Sequence, residues 1–217
     1  MITGERLTAY IHSLDCGNGQ LLDQIEGEAK ADHVPVIRKE MQSLLRFFMK
    51  SYRPGKILEV GTATGFSALL MSEYAPRNCL ITTIEKYEKR IPVARRNFLR
   101  AGKADRIRLL EGDAANVLKS LDDRYDFIFL DAAKGQYISY LPELLRLMPV
   151  GGILISDNVL QDGDIIESRF AVERRNRTIH ARMREYLYTL THHKELVTSV
   201  LPLGDGVTVS VRTEERE

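Results

Sequence analysis

The apolar positions of this chain change period along its length. Short apolar runs recur at residues 56–60, 80–84, 107–111, 127–130, 153–156, 195–201 and 207–212, most of them separated by amphipathic stretches of helical length. Runs of this size bounded by turn formers read as strands, and their alternation with helical stretches predicts crossovers in a mostly parallel sheet. The first five strands are expected to be parallel and buried. Pro202-Leu203-Gly204-Asp205-Gly206 links the last two through a turn-rich hairpin, which makes one strand antiparallel to its neighbours. The pattern therefore predicts a doubly wound α/β fold around a seven-stranded sheet.

Ahead of the first strand, Ile37, Met41, Leu44, Leu45 and Phe48 recur at helical spacing. Asp32 and Pro35 offer start signals and Arg53-Pro54-Gly55 a stop, so a helix is expected between them. Residues 1–55 read as a helical cap and 56–217 as the body of the same single domain. No repeat or low-complexity linker argues for a second domain, and 217 residues suit one hydrophobic core. No apolar run approaches bilayer length, and Met1-Ile2-Thr3-Gly4-Glu5-Arg6 lacks the apolar centre of a secretory signal, so a cytoplasmic location is expected. Cys16 and Cys79 lie far apart and outside any C-x-x-C spacing, which argues against a zinc knuckle or redox pair.

The stretch Ile57-Leu58-Glu59-Val60-Gly61-Thr62-Ala63-Thr64-Gly65-Phe66-Ser67 is a strand, a glycine-spaced turn and a helix start. Such a turn lets backbone approach a nucleotide, with Gly61 and Gly65 clearing space and Thr62, Thr64 and Ser67 meeting polar groups. Glu85 ends the second strand about twenty residues on, where a carboxylate can accept ribose hydroxyl protons. Glu59 precedes the turn, and its charge suits the sulfonium and amino group of S-adenosylmethionine better than the pyrophosphate of NAD. After the third strand, Asp113 and Ala114 offer a carboxylate and an N–H near an adenine position, although Asp113 equally fits a helix N-cap.

Two further strands end in oxygen donors, Asp131 on one and Asp157 with Asn158 on the next. Asp131, Asp157 and Asn158 form a hard, all-oxygen set suited to Mg²⁺, Mn²⁺ or Ca²⁺ rather than zinc. Strand-end acids can also simply cap turns or contact a cofactor. Lys134, three residues after Asp131, is the candidate general base, since a neighbouring divalent cation favours a neutral amine and acidifies a bound hydroxyl.

Taken together, Leu58 to Ser67, Glu85, Asp131-Ala132-Ala133-Lys134 and Asp157-Asn158-Val159-Leu160 resemble the cation-dependent class I O-methyltransferases, which include catechol and caffeoyl-coenzyme A O-methyltransferases. The resemblance spans nearly the whole chain and implies a Rossmann-like methyltransferase domain that assembles as a homodimer. It implies cofactor contacts at Val36, Glu59, Gly61, Ser67, Glu85, Asp113, Ala114 and Asp131. It also implies metal ligation by Asp131, Asp157 and Asn158, proton abstraction by Lys134, and in-line displacement at the sulfonium methyl.

Charge bears on the substrate. The net charge is only +1, yet the stretch from Arg169 to Arg184 holds six arginines against the single acid Glu173. On one continuous helix, Ile179, Met183, Tyr186, Leu187 and Leu190 would form an apolar side, while Arg174, Arg175, Arg177, Arg182 and Arg184 would fan across the other. This stretch resembles the bacterial transfer RNA 5-hydroxyuridine methyltransferases, which implies that those arginines hold phosphates of an anticodon loop. A small catechol-type diol is the alternative substrate, a solvated helix face the alternative role for the arginines, and a non-catalytic nucleotide- or RNA-binding module the alternative of another class.

Overall fold

The computed structural model describes residues 4–168 and 170–214. Three helices, α1 (Glu5–Ser13), α2 (Gln20–Ala31) and α3 (Lys39–Ser51), precede β1 (Lys56–Val60). The body continues through α4 (Phe66–Tyr74), β2 (Leu80–Glu85), α5 (Ile91–Arg100), β3 (Ile107–Glu111), α6 (Ala114–Lys119), β4 (Phe127–Leu130), α7 (Tyr137–Leu147) and β5 (Ile153–Ser156). It closes with α8 (Arg177–His192) and the hairpin of β6 (Leu196–Leu201) and β7 (Val207–Arg212). Short 3₁₀ turns occupy Lys134–Gln136, Gln161–Ile166 and Arg174–Asn176. Among the described residues, no helix is long and apolar enough to cross a membrane.

The strand order is β3-β2-β1-β4-β5-β7-β6, with β7 antiparallel to both its neighbours and every other pairing parallel. The seven strands expected from the apolar pattern are all present, displaced at most by a residue at one end. Period-two alternation divides the central strands between two cores. Ile57, Phe127, Phe129, Ile153 and Ile155 face the layer of α2 to α5. Leu58, Val60, Ile128, Leu130 and Leu154 face that of α6 to α8. From β1 the chain winds outward through β2 and β3, then returns to the other side of β1 as β4. The order therefore reverses between β1 and β4, where an open α/β sheet leaves a crevice at its strand ends.

The helix expected from Asp32 or Pro35 begins later, at Lys39. Asp32 instead closes α2, which ends as His33 turns to φ 55° and Val34 N–H donates to Ala29 O at 2.8 Å. Such a left-handed residue stops a helix, and Pro35 then biases Val34 toward extended backbone. Residues 34–38 thus form an extended link that carries Val36 to the crevice. The arginine stretch also differs from one continuous helix. Arg174 and Arg175 lie in a separate 3₁₀ turn and α8 starts at Arg177, while Arg169 lies outside the described residues.

Candidate active site

Backbone geometry builds the first half of the crevice. Gly61 adopts φ +107°, and a Cβ there would lie 1.9 Å from the Asp131 carbonyl oxygen, so only glycine lets the ends of β1 and β4 press together. Gly61 and Thr62 N–H both donate to Ile84 O at 3.1 Å, which ties the turn to β2. Glu85 closes this arrangement: Oε2 accepts Ala63 N–H at 2.8 Å, and Oε1 accepts Lys86 and Tyr87 N–H at 2.9 Å each. Its carboxylate is pinned at the rim by three backbone donors while lone pairs remain for a ligand.

The resulting cleft has a volume of about 620 Å³, and Val36, Gly61, Thr62, Ser67, Glu85, Ala114 and Asp131 all line it. Three expected contacts lie elsewhere. Glu59 is fully buried one layer beneath, because its position on β1 points it into the protein, where Oε2 accepts the Thr83 hydroxyl. Burial, with Asp131 and Glu85 nearby, pushes its carboxyl up to about 7, and among the described residues Oε1 has no hydrogen-bond partner. Gly65 is needed for packing: it caps α4 at φ +86°, and a Cβ would meet the Phe98 ring at 2.5 Å. Asp113 is the N-cap of α6, accepting Ala115 N–H at 3.0 Å and pairing with Lys86 at 3.3 Å, which together hold its carboxyl below the usual range.

Sequence reasoning missed Tyr87 and Arg90, whose guanidinium sits 5.4 Å from the Tyr87 ring centroid, and Tyr140 on α7, all lining the cleft. It also missed Thr83, which bridges Thr62 Oγ1 at 2.5 Å to the buried Glu59. The available signal for Tyr87 and Arg90 was their position in the loop just past Glu85, at a strand end.

The second half of the crevice rests on side chains. Leu130 pairs with Ser156 in the β4–β5 register and Asp157 N–H donates to Leu130 O at 3.0 Å. Asp131 and Asp157 are therefore brought side by side, each one residue beyond its strand. Burial pushes the Asp131 carboxyl up to about 6, and burial with the Asp131 charge pushes Asp157 up to about 7. Two desolvated carboxylates side by side, the first raising the pKa of the second, mark a place short of positive charge. Asn158 follows at φ 58°, its amide nitrogen donating to Asp205 Oδ2 at 3.3 Å. That bond assigns the NH₂ to Asp205 and leaves the amide oxygen free as a donor atom to a cation. Among the described residues no three His, Cys, Asp or Glu side chains converge on a metal position. A hard cation here would therefore depend on the Asn158 oxygen beside the two aspartates.

Asp205 comes from the β6–β7 turn and was not foreseen. It pairs with Arg38 at 2.6 Å, and burial together with Asp162 pushes its carboxyl up to about 6. Lys134 opens the 3₁₀ turn after β4 and lies close enough to Asp131, Asp157 and Asp205 to favour their charged forms. Among the described residues its ammonium has no hydrogen bond or ion pair of its own.

The arginines divide by what holds them. Arg182 donates to Gly135 O at 3.0 Å, Arg184 to Ile165 O at 3.5 Å, and Arg177 to Val172 O at 3.1 Å, so these three lace α8 to the surrounding turns. Arg175 pairs with Glu173 at 2.7 Å on the surface. Arg174 is exposed and carries no partner among the described residues.

Known proteins resemble this chain in sequence and fold. A catechol O-methyltransferase of Mycobacterium tuberculosis is 30% identical over 73% of each chain. A caffeoyl-CoA O-methyltransferase of Stellaria longipes is 29% identical over 87% of this chain and 86% of its own. The structure of an SAH-bound Podospora anserina methyltransferase, 27% identical, superposes with a TM-score of 0.87 over 97% of this chain and 95% of that one. The family model described as O-methyltransferase matches residues 20–213. With the cleft, the strand-end acids and this match across the sheet and most of the helical cap, the chain belongs to the O-methyltransferase family.

Proposed function

We propose that this protein is an S-adenosylmethionine- and divalent-cation-dependent O-methyltransferase whose substrate is 5-hydroxyuridine at the wobble position of transfer RNA, converted to 5-methoxyuridine. The carrying observation is that Asp131, which lines the cleft rimmed by Glu85, is brought beside Asp157 by the β4–β5 register, with both carboxylates desolvated. S-adenosylmethionine would supply the methyl group, its ribose hydroxyls donating to Glu85 and its adenine lying toward Ala114. A divalent cation held by Asp131, Asp157 and Asn158 would supply charge stabilisation for the ionising hydroxyl and orient its neighbouring oxygen. Lys134 Nζ takes the hydroxyl proton, and Val36 with the 34–38 link covers the donor side of the cleft. Rate enhancement then comes chiefly from alignment and charge placement.

For the substrate, support comes from the arginine stretch together with Phe170, which is 84% exposed beside Arg177. An exposed ring beside a guanidinium suits an unstacked base and its phosphate. The second reading is a small catechol-type substrate, favoured by the names of the relatives. A coenzyme A thioester would also offer phosphates to the same arginines. Labelled S-adenosylmethionine with Mg²⁺ and either hypomethylated bacterial transfer RNA or a panel of catechols separates them. Label in RNA supports the first reading, and label in catechols alone removes it. We further assign the exposed Leu7, Tyr10 and Ile11 of α1, with Leu14 just past its end, to a homodimer interface, which light scattering of the purified protein tests.

A further inference from the structure

We infer that Tyr137 is a positioning residue that sets the separation of the Asp131 and Asp157 carboxylates. Its side chain is wholly buried and lines no part of the cleft, so it touches no reacting atom. It begins α7 directly after the turn that carries Lys134. The hydroxyl oxygen accepts Ala132 N–H at 3.2 Å, and the O–H is directed at the carbonyls of Asp157, 3.2 Å away, and Leu130, 3.4 Å away. One phenol thus joins the residues flanking Asp131 to the backbone of Asp157.

The location of this clasp gives it its effect. The last rung of the β4–β5 ladder runs from Asp157 N–H to Leu130 O. Beyond it, among the described residues, only the Tyr137 hydroxyl ties residues 131–132 to residue 157. Two adjacent buried carboxylates repel each other, and strand ends without a ladder bond yield to that repulsion. The ring is braced from behind by Tyr186 of α8, edge-to-face at 5.5 Å between centroids. The Tyr186 hydroxyl in turn bonds Ser156 Oγ at 2.6 Å, one residue before Asp157.

This inference rests on the proposed use of Asp131 and Asp157 to hold a cation. It is tested by titrating Mn²⁺ into full-length wild type, Tyr137→Phe and the control Tyr52→Phe, with binding read by calorimetry. Tyr52→Phe also removes a tyrosine bond to a backbone carbonyl, that of Gly151, on the surface. Loss of an outer partner of metal ligands typically weakens binding tenfold or more, so Tyr137→Phe is expected to raise the Mn²⁺ Kd about tenfold while Tyr52→Phe leaves it unchanged. Equal affinity in the two variants would overturn the inference and leave the cation site standing. Failure of wild type to take up Mn²⁺ would overturn both. Linkage supplies a readout that needs no variant: Mn²⁺ should slow hydrogen exchange at Ala132 N–H, which donates to the Tyr137 hydroxyl, and unchanged exchange there would equally overturn the inference.

Discussion

The two halves of the crevice are made differently. The half at the ends of β1 and β2 is defined by backbone: a glycine that admits no Cβ, paired N–H groups on Ile84 O, and a glutamate pinned by three N–H donors. The half at the ends of β4 and β5 is defined by side chains from distant segments, with Arg38 and Asp205 on one flank and α8 on the other. Backbone geometry positions a ligand common to a whole family. Side-chain networks can change while leaving that geometry intact, so the β4–β5 half is where this protein has room to specialise.

The largest effect expected from breaking this division is Asp157→Ala. It should lower methyl transfer by about a thousandfold or more, on the scale of losing a charge-stabilising group, while S-adenosylhomocysteine binding measured by calorimetry changes little. Lys134→Ala should lower kcat by roughly a hundredfold to ten-thousandfold, the usual range for a general base, with the Kd for the methyl donor unaltered. Gly61→Ala strikes the other half. The added Cβ must displace the Asp131 backbone, so donor binding should be lost and thermal unfolding should show a cost of about 3 kcal/mol, as for strained or overpacked sites.

Smaller effects sharpen the comparison. Glu59 has a folded-state pKa near 7, above its ordinary value of 4.5, so the folded protein holds a proton that the unfolded chain releases between those values. Stability should therefore be greatest below about pH 4.5 as far as this group is concerned, and fall as pH rises toward 7, by about 3 kcal/mol. Denaturant unfolding of Glu59→Gln at pH 5 and pH 7.5 should show that dependence reduced; an unchanged slope would refute the assignment. Smallest of all, Arg174→Ala should weaken transfer RNA binding modestly and lower the salt dependence of log K by about one unit per lost phosphate contact, without altering turnover of a small diol.

What could be read from the chain follows the same division. Strand periodicity, the Gly61 turn, Glu85 and the strand-end acids are local patterns, and each stands where the pattern put it. The β4–β5 adjacency that joins Asp131 to Asp157 was also legible, because consecutive parallel strands tend to be neighbours. The Arg38–Asp205 pair, the Thr83–Glu59 bond and the Tyr137 clasp were not, since each depends on side-chain directions set only when separate segments pack. Asp32 and Pro35 misled for a local reason: both are acceptable helix starters, but here they terminate and exit α2. Arg182 shows the converse, a residue whose charge suggested a free surface and whose geometry ties it to the turn bearing Lys134.

The proposed chemistry requires a cation between the ends of β4 and β5. Crystals grown with S-adenosylhomocysteine and Mn²⁺, with anomalous diffraction collected to locate manganese, address this directly. An anomalous peak within bonding distance of Asp131, Asp157 and Asn158, facing the donor cleft, is the expected result. Manganese bound elsewhere with those three side chains turned apart would contradict it.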